Sequence, residues 1–344
     1  MFSTIRSRAL VAGLAVAVAT AFAATGASAE TAAEFYKGKV GKIVVGYGPG
    51  GGYDAYARMI APHLEKATGA RWIVENQPGA GGVTALNRIY STGGDGLQMM
   101  IVNGTGAALG QILDQKAVRY DLGKLNYLGI VSSSPWIWLV SPKSSIKSVA
   151  DAMKPGARVN WAASGVTDGL GDGAAITCAT LKLNCRIVRG YKGSKAAALA
   201  VTQGEMDAMY VSDTSAYNYV RSKGATAVAT MSREKSRFFK DLPTIFELAK
   251  LSSEQAWWFD FRATLDDLGR ILVTAPTVPA DRLKFLQDGV KKALTDEKLV
   301  AEGEKTNRYI AYQDAEATRK KVLSVVASLT PAQKKQAQDI ILAK

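Results

Sequence analysis

Val44-Val45-Gly46-Tyr47-Gly48-Pro49-Gly50-Gly51-Gly52-Tyr53-Asp54-Ala55-Tyr56-Ala57-Arg58 is the stretch that decides the fold. The β-prone residues 42–45 run into five glycines within seven residues, and Asp54 stands where a helix begins. Glycine admits positive φ and lets backbone approach a ligand with no Cβ in the way. The first turn of the following helix has free N–H groups and a partial positive charge. Strand, glycine turn and helix start together make an anion site built from backbone.

Three readings compete at this turn. Residues 46–51 match G-x-G-x-x-G literally, and a second apolar run, 71–74, ends in Glu75 near the place of a ribose-binding acid. That pattern belongs to dinucleotide-binding folds. No Gly-Lys-Ser/Thr follows, which excludes a triphosphate P-loop. The plainest reading is a tight turn with no ligand.

The N-terminus weighs against a dinucleotide. Arg6 and Arg8 head an apolar run over 9–24, and Ala27-Ser28-Ala29 is a small-x-small cleavage site, so residues 1–29 read as a secretory signal peptide. No cysteine follows the site to carry a lipid anchor, and no later run approaches the ~20 apolar residues of a membrane span. The mature chain is expected in the periplasm, where dinucleotide cofactors are scarce; no cofactor is expected.

Removing 29 of the 344 residues leaves 315, more than one hydrophobic core usually serves. Two lobes are expected: 30–135 with 265–344, and 136–264 including the hinge crossovers. Formal charge falls from +13 to +11 as Arg6 and Arg8 leave, and the remaining basic residues are scattered. No basic stripe interleaved with aromatics points to nucleic acid. The positive balance mildly favours anionic ligands. His63 is the single histidine and no Cys-x-x-Cys occurs, so no metal site is expected. Export makes a disulfide between Cys178 and Cys185 available, and the pairing is expected; two buried thiols are the alternative.

Strands and helices alternate along the chain. Strands are expected at 42–45, 72–74, 97–102, 127–131, 136–140, 158–162, 186–188, 208–211 and 225–229, with helices to the end from about Asp281. The alternation predicts an α/β protein with parallel sheets, whose ligands bind where the loops gather at C-terminal strand ends. The turn at 46–52, the segment Asn103-Gly104-Thr105-Gly106 and the loop 163–169 all fall there.

Six short motifs follow in order: Pro49-Gly50-Gly51-x-x-Asp54, then residues 74–82, then the loop 162–169, then Tyr191-Lys192-Gly193, then Gly204-Glu205-Met206-Asp207, then Leu242-Pro243-Thr244. In this order and spacing the chain resembles the Bug family of extracytoplasmic solute receptors of tripartite tricarboxylate transporters. The resemblance implies a type II periplasmic-binding fold of two α/β lobes, a ligand enclosed between them, and monomeric delivery of a small organic carboxylate to membrane transporter subunits. It implies that backbone N–H groups and water hold the carboxylate, with no arginine required. The first-lobe loop carried over is Gly50, Gly51, Gly52, Tyr53 and Asp54, and the second-lobe loop is Ser164, Gly165, Val166 and Thr167. Tyr47, Asn103, Thr105, Tyr210, Ser212 and Asp213 complete the expected ligand-binding set.

One departure concerns the ligand. Where many members have Phe-Asp-Asn, this chain has Tyr210-Val211-Ser212-Asp213, which displaces the acid and counts against amino-acid-like ligands. Tyr53, Trp136, Trp138, Trp161 and Tyr210 either stack an aromatic acid or, more simply, pack the core. A nucleophile with its base, or paired acids at a reacting centre, would mark an enzyme. Asp54 and Asp168 are the only such pair on offer, and both fall where helices need caps. No catalytic residue is therefore expected. A periplasmic sensor for a membrane signalling partner shares the whole reading except its partner, and a dinucleotide enzyme is the remote alternative.

Overall fold

The computed structural model describes residues 30–343; the expected signal peptide lies outside the described residues. Ten strands form two sheets. The first contains β1 (Val40–Val45), β2 (Arg71–Asn76), β3 (Gln98–Asn103), β4 (Asn126–Ser132) and β10 (Arg270–Thr274), in the order β2-β1-β3-β10-β4. The second contains β5 (Trp136–Val140), β6 (Val159–Ala162), β7 (Cys185–Val188), β8 (Ala208–Ser212) and β9 (Thr226–Thr230), in the order β7-β6-β8-β5-β9.

Both sheets are mixed, which corrects the expectation of purely parallel ones. β10 runs antiparallel to β3 and β4, and β5 runs antiparallel to β8 and β9. These are the strands on which the chain passes between lobes. A chain arriving from the other lobe enters at the cleft edge and runs away from it, against the local strands.

Strand periodicity explains the buried runs. Ile43 and Val45 of β1 join Met99, Ile101 and Leu272 in one core layer. Val44 joins Met100, Val102, Ile271 and Val273 in the layer on the other face. Helices cover both faces, so these strands are apolar throughout instead of alternating. The Gly52–Thr68 helix lies on the first layer through Tyr56, Ile60 and Leu64, three buried residues at four-residue spacing. Gly69 stops it at φ 73°, a left-handed cap that suits glycine.

The second lobe centres on Trp138 and Trp161, fully buried with ring centroids 5.0 Å apart. They are core residues, with no face on the cleft. Cys178 and Cys185 form a disulfide between the Leu170–Thr180 helix and β7.

Two segments tie the lobes together. The Ser253–Asp266 helix crosses the boundary expected at 264/265: Phe259 packs in the second lobe's core, while Trp258 and Phe261 pack in the first's. The C-terminal Pro331–Ile341 helix, opened by a Thr330 capping box, packs on the Leu170–Thr180 helix of the other lobe.

Candidate functional site

Five helices begin at one cavity between the two sheets. Gly51, Gly52 and Tyr53 line it at the start of the Gly52–Thr68 helix, Asn103 and Thr105 at the Gly104–Ile112 helix, and Asp168 and Leu170 at the Leu170–Thr180 helix. Ser194 opens the Ser194–Gln203 helix there, and Ser212 and Ser215 belong to the start of the Asp213–Arg221 helix. The topology causes this convergence, since a helix following a parallel strand starts at that strand's C-terminal edge.

Two of the five starts are capped internally: Asn103 accepts from the Gly106 N–H at 3.2 Å, and Asp172 accepts from the Gly169 N–H at 2.6 Å. The starts at Gly52, Ser194 and Asp213 have no side-chain cap. The Asp213 N–H is taken by the Pro135 carbonyl at 2.9 Å, so the Gly52 and Ser194 starts are the ones whose first-turn N–H groups lack a side-chain cap, with the positive end of each helix dipole behind them.

Arg270 adds a full charge to the same cavity. It opens β10, is 3 % exposed, and its guanidinium lies over the rings of Tyr56 (4.4 Å) and Tyr53 (5.3 Å). Nη2 donates to Ser212 Oγ at 2.9 Å and Thr214 Oγ1 at 3.3 Å, and Nη1 donates to Ser132 Oγ at 3.3 Å. Nε has no partner. Among the described residues its hydrogen-bonding partners are hydroxyls, none a carboxylate. Buried charges are ordinarily paired, because desolvation makes a lone one costly. Ser132 lies in the first lobe and Ser212 and Thr214 in the second, so Arg270 also bridges the lobes. Gly52 leaves it room: a Cβ there would stand 3.5 Å from Nη2 and 2.8 Å from Ser215 Oγ.

Arg262, in the Ser253–Asp266 helix, is the contrasting case. Its Nε meets Asp172 at 2.5 Å, its Nη1 pairs with Asp266, and its guanidinium lies over Trp136 (5.1 Å) and Tyr210 (5.5 Å). Burial opposes its charge, but Asp172 and Asp266 outweigh burial and hold it protonated. Burial pushes the Asp266 carboxyl up to about 8 against the pull of Arg262. Asp266 lines the cavity, and its Oδ2 has no partner. Asp168 also lines it; burial lifts its carboxyl to about 6, although Ser164 and the Gly171 N–H hydrogen-bond to it.

Seven of the expected ligand-binding residues line this cavity: Tyr47, Gly51, Gly52, Tyr53, Asn103, Thr105 and Ser212. Tyr47 and Tyr53 stack at 5.0 Å, and Asn103 donates to the Asp168 carbonyl across the cleft at 2.7 Å. Eight lie elsewhere. Gly50 donates its N–H to Asp54, and Asp54 is also paired with Arg58, so these two brace the turn from behind. Ser164 spends its N–H and hydroxyl on Asp168. Gly165 sits on Gly81, where a Cβ would stand 2.9 Å from the Gly81 Cα. Thr167 donates to Gln115 of the other lobe at 3.0 Å, and Val166 packs against the first lobe's core. The 164–167 loop is thus a contact between lobes. Tyr210 lies behind Trp136, with centroids 5.6 Å apart, and Trp136 itself lines the cavity. Asp213 accepts from Ser236 at 2.8 Å, and burial raises its pKa.

Lining residues not foreseen include Arg270, Asp266, Ser194 and Ser215, with Ser134, Leu170, Val211 and Gly269 beside them. The lobes are in contact across the cleft: the Gly48 N–H donates to the Lys192 carbonyl at 2.5 Å, and Arg237 pairs with Glu304 at 2.7 Å. His63 lies beside Asp296 (3.4 Å) and Glu302 (3.6 Å) and is not among the cavity's lining residues. Among the described residues no cluster of His, Cys, Asp and Glu fits a metal ion, and no helix is long and apolar enough to cross a membrane.

The sequence profile of the TctC family, the tripartite tricarboxylate transporter family receptor, matches residues 56–320. The chain belongs to this family. It is 26 % identical to the protein BugT of Bordetella pertussis over 274 residues, 77 % of this chain and 81 % of BugT. The solved structure of the periplasmic binding protein BugD superposes with a TM-score of 0.75 at 19 % identity, covering 89 % of this chain and 98 % of BugD. MatC from Rhodopseudomonas palustris, solved with bound malate, superposes with a TM-score of 0.69 at 20 % identity, covering 88 % and 99 %. The fold is the two-lobed one of periplasmic binding proteins, as the motif order implies. Family membership makes the chain a solute-binding receptor and removes the enzyme readings of the glycine turn.

Proposed function

We propose that this protein captures a small organic carboxylate in the periplasm, between its two lobes, and delivers it to the membrane subunits of a tripartite tricarboxylate-type transporter. The observation that carries the reading is Arg270: a buried guanidinium at the cavity whose protein partners are all hydroxyls. A ligand carboxylate supplies the missing charge, and the uncapped helix starts at Gly52 and Ser194 supply neutral donors around it. Family membership and the malate held by MatC support the same chemistry.

Closure follows from where the donors sit. Gly52 and Arg270 belong to the first lobe, and Ser194, Ser212 and Ser215 to the second. Only the closed arrangement brings both sets to one anion, so binding favours closure through differential contact. A charge-assisted hydrogen bond contributes roughly 1.5–3 kcal/mol. Calorimetric titration of the exported protein with mono-, di- and aromatic carboxylates, joined to small-angle scattering, tests this. At least one acid is expected to bind and to compact the protein. Binding that leaves the scattering unchanged, or none across the panel, rejects the reading.

A further inference from the structure

Part of the lobe boundary is made of side chains, as in the pairs Arg262–Asp172 and Arg237–Glu304. Another part is a seam in which backbone is the partner. The Gly48 N–H donates to the Lys192 carbonyl at 2.5 Å, and Asn103 Nδ2 donates to the Asp168 carbonyl at 2.7 Å. Asn103 Oδ1 accepts from the Gly106 N–H at 3.2 Å, so one side chain caps the Gly104–Ile112 helix and holds the opposite loop.

Two glycines stand in this seam, and neither is among the cavity's lining residues. A Cβ on Gly106 would lie 2.5 Å from the Thr167 carbonyl oxygen and 3.3 Å from Asp168 Cα. A Cβ on Gly165 would lie 2.9 Å from both N and Cα of Gly81. Non-bonded carbons settle at about 3.5–4.0 Å, so each methyl would press on the backbone of the other lobe. Neither glycine has a positive φ, so neither is required by its own backbone conformation. Beyond the local backbone, the three atoms nearest each added carbon all belong to the opposite lobe. The missing side chain therefore matters only when the lobes are together. Gly106 also sits in a helix, where alanine is the better helix former.

We propose that Gly106 and Gly165 are positioning residues for solute capture: they set affinity by letting the lobes close, without touching the solute. This inference rests on the cleft reading above and adds a determinant of affinity outside the cavity. Capture needs donors from both lobes, so apparent affinity scales with the fraction of the protein able to close. A methyl at either glycine lowers that fraction for every solute alike, whereas a residue in contact with the solute alters one acid more than another. Gly104, two residues away on the same helix, is the matched control. A Cβ there would meet Leu268 Cβ at 2.6 Å and Ile271 Cδ1 at 2.9 Å, both in its own lobe.

The test compares Gly106→Ala, Gly165→Ala and Gly104→Ala with the exported wild type. Calorimetry and stopped-flow dissociation use the panel of mono-, di- and aromatic carboxylates, and thermal denaturation is run without ligand. Gly106→Ala and Gly165→Ala are expected to bind each acid about tenfold more weakly, by one common factor, with the loss in the dissociation rate. Their thermal midpoints should match wild type or, for Gly106→Ala, exceed it, while Gly104→Ala should lower the midpoint. Wild-type affinity in either seam variant, or a loss that differs from acid to acid, overturns the inference. So does a midpoint lowered as far as in Gly104→Ala, because the glycine then serves its own lobe. If the seam variants bind as wild type does while Arg270→Met abolishes binding, the seam is wrong and the cleft reading stands. If binding is also indifferent to Arg270→Met, the cleft reading falls with it. If no acid binds, the cleft reading falls, and small-angle scattering of the unliganded proteins decides the seam. Both variants are then expected to be more expanded than wild type, and equal profiles overturn the inference.

Discussion

Arg262 and Arg270 are eight residues apart, both buried and both stacked on aromatic rings, yet they solve the problem of a buried charge in opposite ways. Arg262 is neutralised within the protein by Asp172 and Asp266, and it ties the Ser253–Asp266 helix to the Leu170–Thr180 helix across the lobe boundary. Arg270 is held by three hydroxyls drawn from both lobes and, among the described residues, has no carboxylate in contact; the buried Asp213 carboxyl feels its charge from a distance. In the function proposed above, the first arrangement serves the fold and the second serves a ligand. Burial and side-chain type are the same in both; the partners decide.

The largest expected effect tests the structural member of the pair. Arg262→Met leaves Asp172 and Asp266 buried without their cation, and breaking a buried ion pair on one side costs roughly 3–5 kcal/mol. Urea denaturation should show a loss of that size. A loss below about 1 kcal/mol, the range of a surface ion pair, would place Arg262 outside the role given to it.

Next is the disulfide, which belongs to neither arginine and serves as a control. Replacing Cys178 and Cys185 together by serine should cost about 2 kcal/mol of stability, since the closed loop is short, and leave ligand affinity unchanged. Titration of the unreduced, denatured wild type should find no free thiol. Lost affinity in the double variant would show that the second lobe's packing reaches the cavity.

A smaller effect separates the acids around the two arginines. Asp168 and Asp266 have folded-state values of about 6 and about 8, above the ~3.9 of an unfolded aspartate. Between those limits the folded state holds more protons than the unfolded, so these groups make stability fall as pH rises. Their contribution is full near pH 4 and is lost through pH 6 for Asp168 and through pH 8 for Asp266. Thermal denaturation from pH 5 to 8 should show a declining midpoint, and Asp266→Asn should flatten the part between pH 6 and 8. An unchanged slope in that variant would remove Asp266 as its source.

The least disruptive change is Gly52→Ala. The added Cβ would press on Ser215 and approach Arg270, hindering closure more than folding. About a tenfold loss of affinity, ~1.4 kcal/mol, is expected at nearly unchanged stability. Equal affinity would mean that the lobes need not meet at Gly52.

The sequence made the structural half of this comparison easier to read than the functional half. The glycine turn at 46–52 was legible because its spacing is local, and the helix it opens begins at Gly52. The family motifs fixed the two-lobed fold for the same reason. Arg270 was not legible as a site residue. Gly269-Arg270-Ile271-Leu272-Val273-Thr274 has the pattern of a buried strand opened by a charge, and that charge was the available signal. What sets it apart is the company of Ser132, Ser212 and Thr214, which only folding assembles. The 164–167 loop, expected at the ligand, makes contacts between the lobes in this structure. Its small polar residues were correctly read as a turn before a helix, but Asp168 consumes the Ser164 hydroxyl and Gly81 covers Gly165. Composition shows which donors exist, and packing decides which remain free.

The central claim, that Arg270 is reserved for a ligand anion, is tested most directly by Arg270→Met measured two ways at once. Calorimetry with the tightest acid from the screen should show affinity falling by roughly two orders of magnitude, the loss of a charge-assisted contact. Thermal denaturation without ligand should show a midpoint equal to or above that of wild type, because a buried charge held in no salt bridge has been replaced by an apolar side chain. A variant that keeps its affinity, or one that loses stability as severely as Arg262→Met, would contradict the account.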